Sequence, residues 1–141
     1  MLKRKATAKW EGTLKDGSGS MNFGTYTNMP YSFTSRFENG EGTNPEELIG
    51  AAHAGCYSMA FNVGLEQAGF NAEYVQTEAT VGFEKKEGGW EITKITLTVN
   101  AKVPGISEDK FNELAEGAKK GCPISKALAA VDIELDATLH Q

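Results

Sequence analysis

The chain has 141 residues, 40% of them apolar and 23% charged, and a net charge of −5. That is enough for one domain with a real core, expected here over residues 1–141. The acidic balance argues against nucleic acid as a partner. The start Met1-Leu2-Lys3-Arg4-Lys5 leads into polar residues rather than an apolar signal segment, so a cytoplasmic setting is expected. In that setting a pair of cysteines is more often catalytic, redox-active or metal-binding than a permanent staple.

In chain order, residues 3–11 predict a first strand, ended by Gly12, and Asp16-Gly17-Ser18-Gly19 predicts a turn. Ser20 to Gly24 predicts a second short strand, and Met29-Pro30 interrupts the pattern. Tyr31 to Phe37 alternates and is rich in aromatics, which predicts a third strand. Its Tyr31, Phe33, Ser35 and Phe37 would share one face, with Ser32, Thr34 and Arg36 on the other.

After a loop over residues 38–42 comes the stretch around which the chain is organised, Gly42 to Gly69. Asn44 suits a helix N-cap, Pro45 the first helical position, and Glu46 and Glu47 the electropositive first turn. Gly69 is a suitable terminator. The apolar residues between occupy more than one stripe, which predicts burial on most sides. The small residues Gly50, Ala51, Ala52, Ala54, Gly55 and Ala60 invite close approach of another helix, a second subunit being the natural source. His53, Asn62, Glu66 and Gln67 interrupt the apolar run, so it is not a membrane span.

Tyr74 to Glu87 and Trp90 to Val103 predict a hairpin turning at Gly88-Gly89, with Ile95, Leu97, Val99, Ala101 and Val103 on the buried face. Ser107 caps a predicted amphipathic helix whose stripe is Phe111, Leu114, Ala115 and Ala118, ending at Gly121. Cys122-Pro123 opens a short further helix, and Val131 to Leu139 alternates as a last strand. The fold class is therefore α+β, with largely antiparallel sheets around the long buried helix. An interlocked homodimer would seal that helix.

Two cysteines, Cys56 and Cys122, carry the chemical interest. Cys122 stands at a helix start, where free amides and the dipole favour a thiolate; the plain alternative is a small apolar residue beside a proline turn. Cys56 lies mid-helix and needs a nearby cation to be reactive, or else it is a core residue. Arg36 is a candidate for that cation, or a solvated surface arginine. His53 shares a helix face with Cys56, which permits a Cys–His pair, although a histidine satisfied within the core fits equally. His140, near the chain end, has no expected role. Glu46 and Glu47 serve the helix start, and either could orient Arg36. Glu46 and Cys56 are separated by about 15 Å of helical rise, so Glu46 cannot touch its own Cys56 in a regular helix; if both serve one site, then Arg36 bridges them, the helix is irregular, or Glu46 comes from the other subunit.

Three readings compete. A two-cysteine peroxidase needs a reactive thiolate, a donor to the leaving oxygen and a resolving thiol. A Cys–His hydrolase or acyltransferase would use Cys56 and His53, leaving Cys122 without a role. A non-enzymatic module would bind an apolar ligand; a metal on these residues is not expected, because no close cysteine pair exists.

The stretch GTNPEELIGAAHAGCYSMA, with SRF before it and GCPISKAL after it, closely resembles the OsmC/Ohr family of thiol-dependent organic hydroperoxide peroxidases. The likeness extends to Trp10-Glu11-Gly12 and Val103-Pro104-Gly105-Ile106. Asn44-Pro45-Glu46 is shared with the Ohr branch, while the residues after it look like the OsmC branch. The resemblance implies an OsmC-like fold and an intertwined homodimer with its sites at the subunit interface. It implies that Cys56 is the peroxidatic cysteine, Cys122 the resolving one, and that Arg36, held by Glu46, activates Cys56. It further implies an organic hydroperoxide substrate and an external dithiol reductant, such as a lipoylated or thiol protein. No bound cofactor, metal, nucleic acid or membrane is called for.

Overall fold

A computed structural model describes residues 1–141. The chain forms two compact units, Met1–Leu48 and Ile49–Gln141.

The first unit holds strands β1 (Ala6–Glu11), β2 (Ser18–Phe23) and β3 (Tyr26–Tyr31), the short helix α1 (Phe33–Phe37) and the start of α2 (Pro45–Gln67). The strands form an antiparallel sheet in the order β1-β2-β3. Met29-Pro30 does not break β3: Pro30 pairs with Ser20 on an edge strand, where a missing N–H is tolerated. Gly19 sits between Trp10 and Tyr31 in register, and its missing side chain lets those rings meet at 5.5 Å.

The third predicted strand is corrected by the structure. Tyr31 ends β3, and Phe33–Phe37 is helical. The cause is a capping box: Ser32 Oγ accepts from the Ser35 amide while Ser35 Oγ accepts from the Ser32 amide. The alternation of aromatics is then helical i, i+4 spacing, and Phe33 packs on Phe37 with ring centroids 5.1 Å apart.

The second unit holds the rest of α2, the strands β4 (Tyr74–Lys86) and β5 (Gly89–Lys102), the helices α3 (Glu108–Gly121) and α4 (Pro123–Ala127), and β6 (Asp132–His140). β4 and β5 pair as the predicted hairpin. β6 pairs with β5 in parallel, an exception to the antiparallel pattern of the other pairings. The connection through α3 and α4 supplies the crossover that a parallel neighbour requires. Ile95, Leu97, Val99, Ala101 and Val103 are fully buried, as their alternation predicts. The core joins them to Tyr57, Phe61 and Leu65 of α2 and to Phe111, Ala115 and Ala118 of α3. His140 closes β6, where its Nε2 lies 3.1 Å from Asn100 Oδ1.

The long helix starts as predicted: Asn44 Oδ1 accepts from the Glu47 amide at 2.8 Å. Within this chain it is not buried on most sides. Gly50, His53, Tyr57, Phe61 and Leu65 form one buried stripe, while Ala51, Ala52, Gly55, Met59 and Val63 form an exposed one on the opposite face. A Cβ at Gly50 would meet Ala79 O and Val81 Cγ2 at 3.4 Å, so glycine there sets the close approach of α2 to β4. No helix is long and apolar enough to cross a membrane.

Candidate active site

Two clusters gather the chemically capable side chains, one in each unit. In the first, α1 carries Arg36 and the first turn of α2 carries Glu46. Arg36 Nη2 donates to Glu46 Oε1 at 2.7 Å, and Arg36 Nε lies 3.2 Å from both carboxylate oxygens. The Glu46 side chain is 11% exposed and the Arg36 side chain 36%. A nearly buried carboxylate thus fixes one edge of a guanidinium that still reaches solvent. Glu47 is otherwise engaged, with Thr43 Oγ1 and Asn44 Nδ2.

The scaffold beneath this pair is local. Ser35 Oγ donates to Thr43 O at 2.7 Å and Asn44 Nδ2 donates to Ser35 O at 3.0 Å, tying α1 to the cap of α2. Beside Arg36 lies a largely apolar cavity of about 280 Å³, walled by Trp10, Leu14, Tyr31, Phe33 and Phe37. Its chemistry is a hydrophobic wall with one cation, which suits a small apolar molecule bearing a polar end.

In the second cluster both cysteines are free thiols, and their Sγ atoms are 2.8 Å apart. Cys56 projects from the middle of α2; Cys122 ends α3 and precedes Pro123 of α4. Cys122 is fully buried and Cys56 half-buried, so Cys56 is the sulfur that an incoming molecule meets.

The pair shares its protons. Burial pushes the Cys56 thiol up, and its contact with Cys122 adds to this, against a smaller pull from the Ile124 amide. Cys122 comes out below an ordinary thiol: burial opposes ionisation, but Cys56, the Ser125 amide and hydroxyl and the Ile124 amide together outweigh it.

His53 is fully buried one turn before Cys56, yet it is not that residue's partner. Its Nε2 lies 2.7 Å from Ser125 Oγ, and its Nδ1 has no hydrogen-bond partner. A Cys56–His53 pair is thus absent. Ser125, unmarked in sequence except for its place three residues beyond Cys122, is the polar residue that sequence reasoning missed. No group of three or more His, Cys, Asp or Glu side chains is arranged to hold a metal ion.

The model of the family described as OsmC-like protein matches residues 38–136, a span that includes both cysteine motifs and Glu46. The chain belongs to the OsmC-like family. Peroxiredoxin OsmC of Escherichia coli (strain K12) is 45% identical over 137 residues, 96% of this chain and 95% of that protein. The organic hydroperoxide resistance protein OhrB of Bacillus subtilis (strain 168) is 34% identical over 70% of this chain and 72% of its own.

Among solved structures, that of OhrB from Bacillus subtilis has a TM-score of 0.70 at 25% identity, covering 95% of this chain and 98% of that one. An organic hydroperoxide resistance protein from Elizabethkingia anophelis reaches 0.77 at 23% identity, covering 99% and 98%. The OsmC-like fold is therefore shared along nearly the whole chain.

Proposed function

We propose that the protein is a two-cysteine thiol peroxidase that reduces organic hydroperoxides to alcohols. The observation that carries this reading is the pair of free thiols 2.8 Å apart, set in the two motifs of a family whose relatives include a peroxiredoxin. A sulfenic acid formed on one sulfur has the other already within bonding reach.

Cys56 is the peroxidatic residue, because Cys122 is sealed from any peroxide. Its thiolate attacks the outer oxygen of the hydroperoxide, the O–O bond breaks, and the alkoxide leaves as the alcohol after taking a proton. Cys122 then attacks the Cys56 sulfenic acid; an S–S bond forms and the hydroxyl departs as water. An external dithiol, lipoylated or on a thiol protein, reopens the disulfide and is itself oxidised to a disulfide. The electrons pass only between sulfurs and the peroxide, so the cycle needs no bound cofactor.

Arg36 supplies what the cysteine pair lacks. Ionisation of Cys56 is opposed by burial and by its neighbouring sulfur, and a guanidinium beside it reverses that balance while donating to the peroxide oxygens. Glu46 holds the guanidinium in place. Helical rise keeps Glu46 from its own Cys56, and of the ways to build one site, namely Arg36 bridging the gap, an irregular helix or a second subunit, we favour a homodimer in which the Arg36–Glu46 pair of one protomer serves Cys56 of the other. The exposed apolar stripe Ala51, Ala52, Gly55, Met59 and Val63 gives a second copy its seat. The apolar cavity beside Arg36 takes the alkyl group, which favours organic hydroperoxides over hydrogen peroxide. Thiol chemistry of this kind suits the reducing cytoplasm.

The test is a thiol count on reduced protein before and after one equivalent of cumene hydroperoxide, with hydrogen peroxide for comparison. Loss of both thiols with the organic peroxide, reversed by a dithiol, is expected. Thiols untouched by either oxidant would overturn the reading.

A further inference from the structure

The buried His53–Ser125 contact has no part in the cycle as described so far, yet it crosses the same gap as the two cysteines. We propose that His53 and Ser125 are a positioning pair: their hydrogen bond fastens α4 to α2 and so keeps Cys122 beside Cys56 while the sulfenic acid forms and is resolved. The proposal rests on the two-cysteine cycle above and deepens its second step.

The placement is regular on both sides of the gap. His53 stands three residues before Cys56 on α2, and Ser125 three residues after Cys122. On α2 that spacing makes neighbours on one face, about 4.5 Å apart along the axis. His53 Nε2 lies 2.7 Å from Ser125 Oγ, and the Cys56 and Cys122 Sγ atoms are 2.8 Å apart. Two side-chain contacts therefore join the same two segments side by side.

The α4 segment has little else to hold it. Among residues 121–130 only Cys122 and Ser125 are buried, while Ile124 and Leu128 are half-buried. α4 has five residues, and its N-cap Cys122 makes no side-chain capping hydrogen bond. A helix this short does not persist on its own, and an element with few buried contacts opens at low cost. Nor does packing explain the imidazole. His53 is fully buried, its Nδ1 has no partner, and only Nε2 is engaged, by Ser125. An apolar side chain would fill the place without a bare nitrogen.

Chemistry sets the moment at which the second contact matters. Peroxide attack places a hydroxyl on Cys56 Sγ, and the thiol–thiol contact that joined α2 to α4 is lost. The His53–Ser125 hydrogen bond touches neither sulfur, so it stays closed across that step and α4 stays on α2. Cys122 Sγ then forms an S–S bond with Cys56 Sγ, the S–O bond breaks, and the hydroxyl leaves as water with the proton given up by Cys122. A partner held in place reacts as if at high local concentration. Fast closure also spares the sulfenic acid a second peroxide, which would carry it to the sulfinic acid.

The test mixes reduced protein with cumene hydroperoxide, quenches it over time, and separates sulfenic acid, disulfide and sulfinic acid by intact-protein mass spectrometry. In Ser125→Ala the conversion of sulfenic acid to disulfide is expected to slow about tenfold, the scale of one lost hydrogen bond at a buried site, and sulfinic acid to accumulate under excess peroxide. Ser125→Thr, which keeps the hydroxyl, restores fast closure. His53→Leu is expected to slow closure as much as Ser125→Ala, and the double variant no further, because the two residues make one contact. Native closure in Ser125→Ala that keeps its circular dichroism, or equal slowing of the first oxidation and of closure, overturns the proposal.

Diamide closes the disulfide without peroxide and separates this proposal from the reading beneath it. In Ser125→Ala the diamide-formed disulfide should be reduced at about tenfold lower dithiothreitol. A native thiol pair that diamide oxidises and cumene hydroperoxide leaves untouched overturns the peroxidase reading. An unshifted dithiothreitol equilibrium beside a normal peroxide-driven disulfide overturns the positioning pair alone.

Discussion

Cys56 and Cys122 occupy one contact but differ in what surrounds them, and their substitutions should fail differently. Cys56→Ser removes the accessible sulfur and is expected to abolish peroxide turnover. Cys122→Ser leaves that sulfur in place, so one equivalent of cumene hydroperoxide is consumed and the cycle then stalls, with further oxidation of Cys56 visible by intact-protein mass spectrometry. Arg36→Ala is expected to slow the first thiol oxidation about a hundredfold, the scale for losing a donor aimed at developing charge. Far-ultraviolet circular dichroism should be unchanged, and normal turnover in that variant would remove the assigned role. Cys56, Cys122, Arg36 and Glu46 were legible in the sequence as types and motifs, but the pairings were not. Glu46 and Glu47 are adjacent carboxylates in one helical turn; only the direction of the turn gives Arg36 to Glu46 and leaves Glu47 with Thr43 and Asn44. His53 was misleading for a similar reason: its spacing to Cys56 permits a pair, but the ring points to Ser125, which lies far along the chain.

His53 also has a consequence for stability. Burial holds its pKa below the ordinary value of 6.5. Between those two values the unfolded chain binds a proton that the folded one refuses, so stability rises with pH there. It is lost as the pH falls below about 6.5 and unaffected above. The melting temperature of the native protein should therefore drop on acidification more than that of His53→Gln, and equal drops would show that the ring does not carry the effect.

At the scale of elements, α2 was readable because its signals agree: an N-cap, a proline at the first turn, carboxylates behind it and a terminal glycine. α1 was not, because the alternating stretch Tyr31 to Phe37 fits a strand as well as it fits one turn of helix with phenylalanines at i and i+4. What decides is Ser35, whose hydroxyl accepts from the Ser32 amide at 2.8 Å and donates to Thr43 O at 2.7 Å. Ser35→Ala is expected to cost about 1–2 kcal/mol in urea unfolding, the scale of a lost cap and a buried hydrogen bond. Because α1 carries Arg36, the same variant should also slow thiol oxidation. A stability loss with unchanged oxidation kinetics would separate the capping box from the placement of Arg36. The parallel pairing of β6 was likewise hidden, since alternation fixes which face of a strand is buried but not the direction of its neighbour.

At the scale of the whole molecule, the contradiction between an apolar helix and its half-exposed position points to a second copy of the chain. Two apolar stripes on opposite faces of α2 cannot both be covered by β4, β5 and α3, and the covered one is the stripe of His53, Tyr57 and Phe61. The other leaves Met59 at 74% and Val63 at 46% exposure, with Gly55 and Ala52 between them and the helix start. Small residues with a few larger apolar ones let two helices approach closely. A charge placed on this stripe should be tolerated by a monomer and not by a dimer, because burying an unpaired carboxylate is costly. Met59→Glu with Val63→Glu is therefore expected to sediment as a monomer where the native chain sediments as a dimer. The doubly substituted chain should keep its circular dichroism and its Cys56–Cys122 contact, so that treatment with diamide still forms the disulfide. If, as proposed, Arg36 serves Cys56 of a second protomer, the variant's reaction with cumene hydroperoxide should fall as far as that of Arg36→Ala. A native chain that is monomeric at every concentration would remove the dimer. A monomeric variant with native peroxide kinetics would place Arg36 and Cys56 in the same protomer.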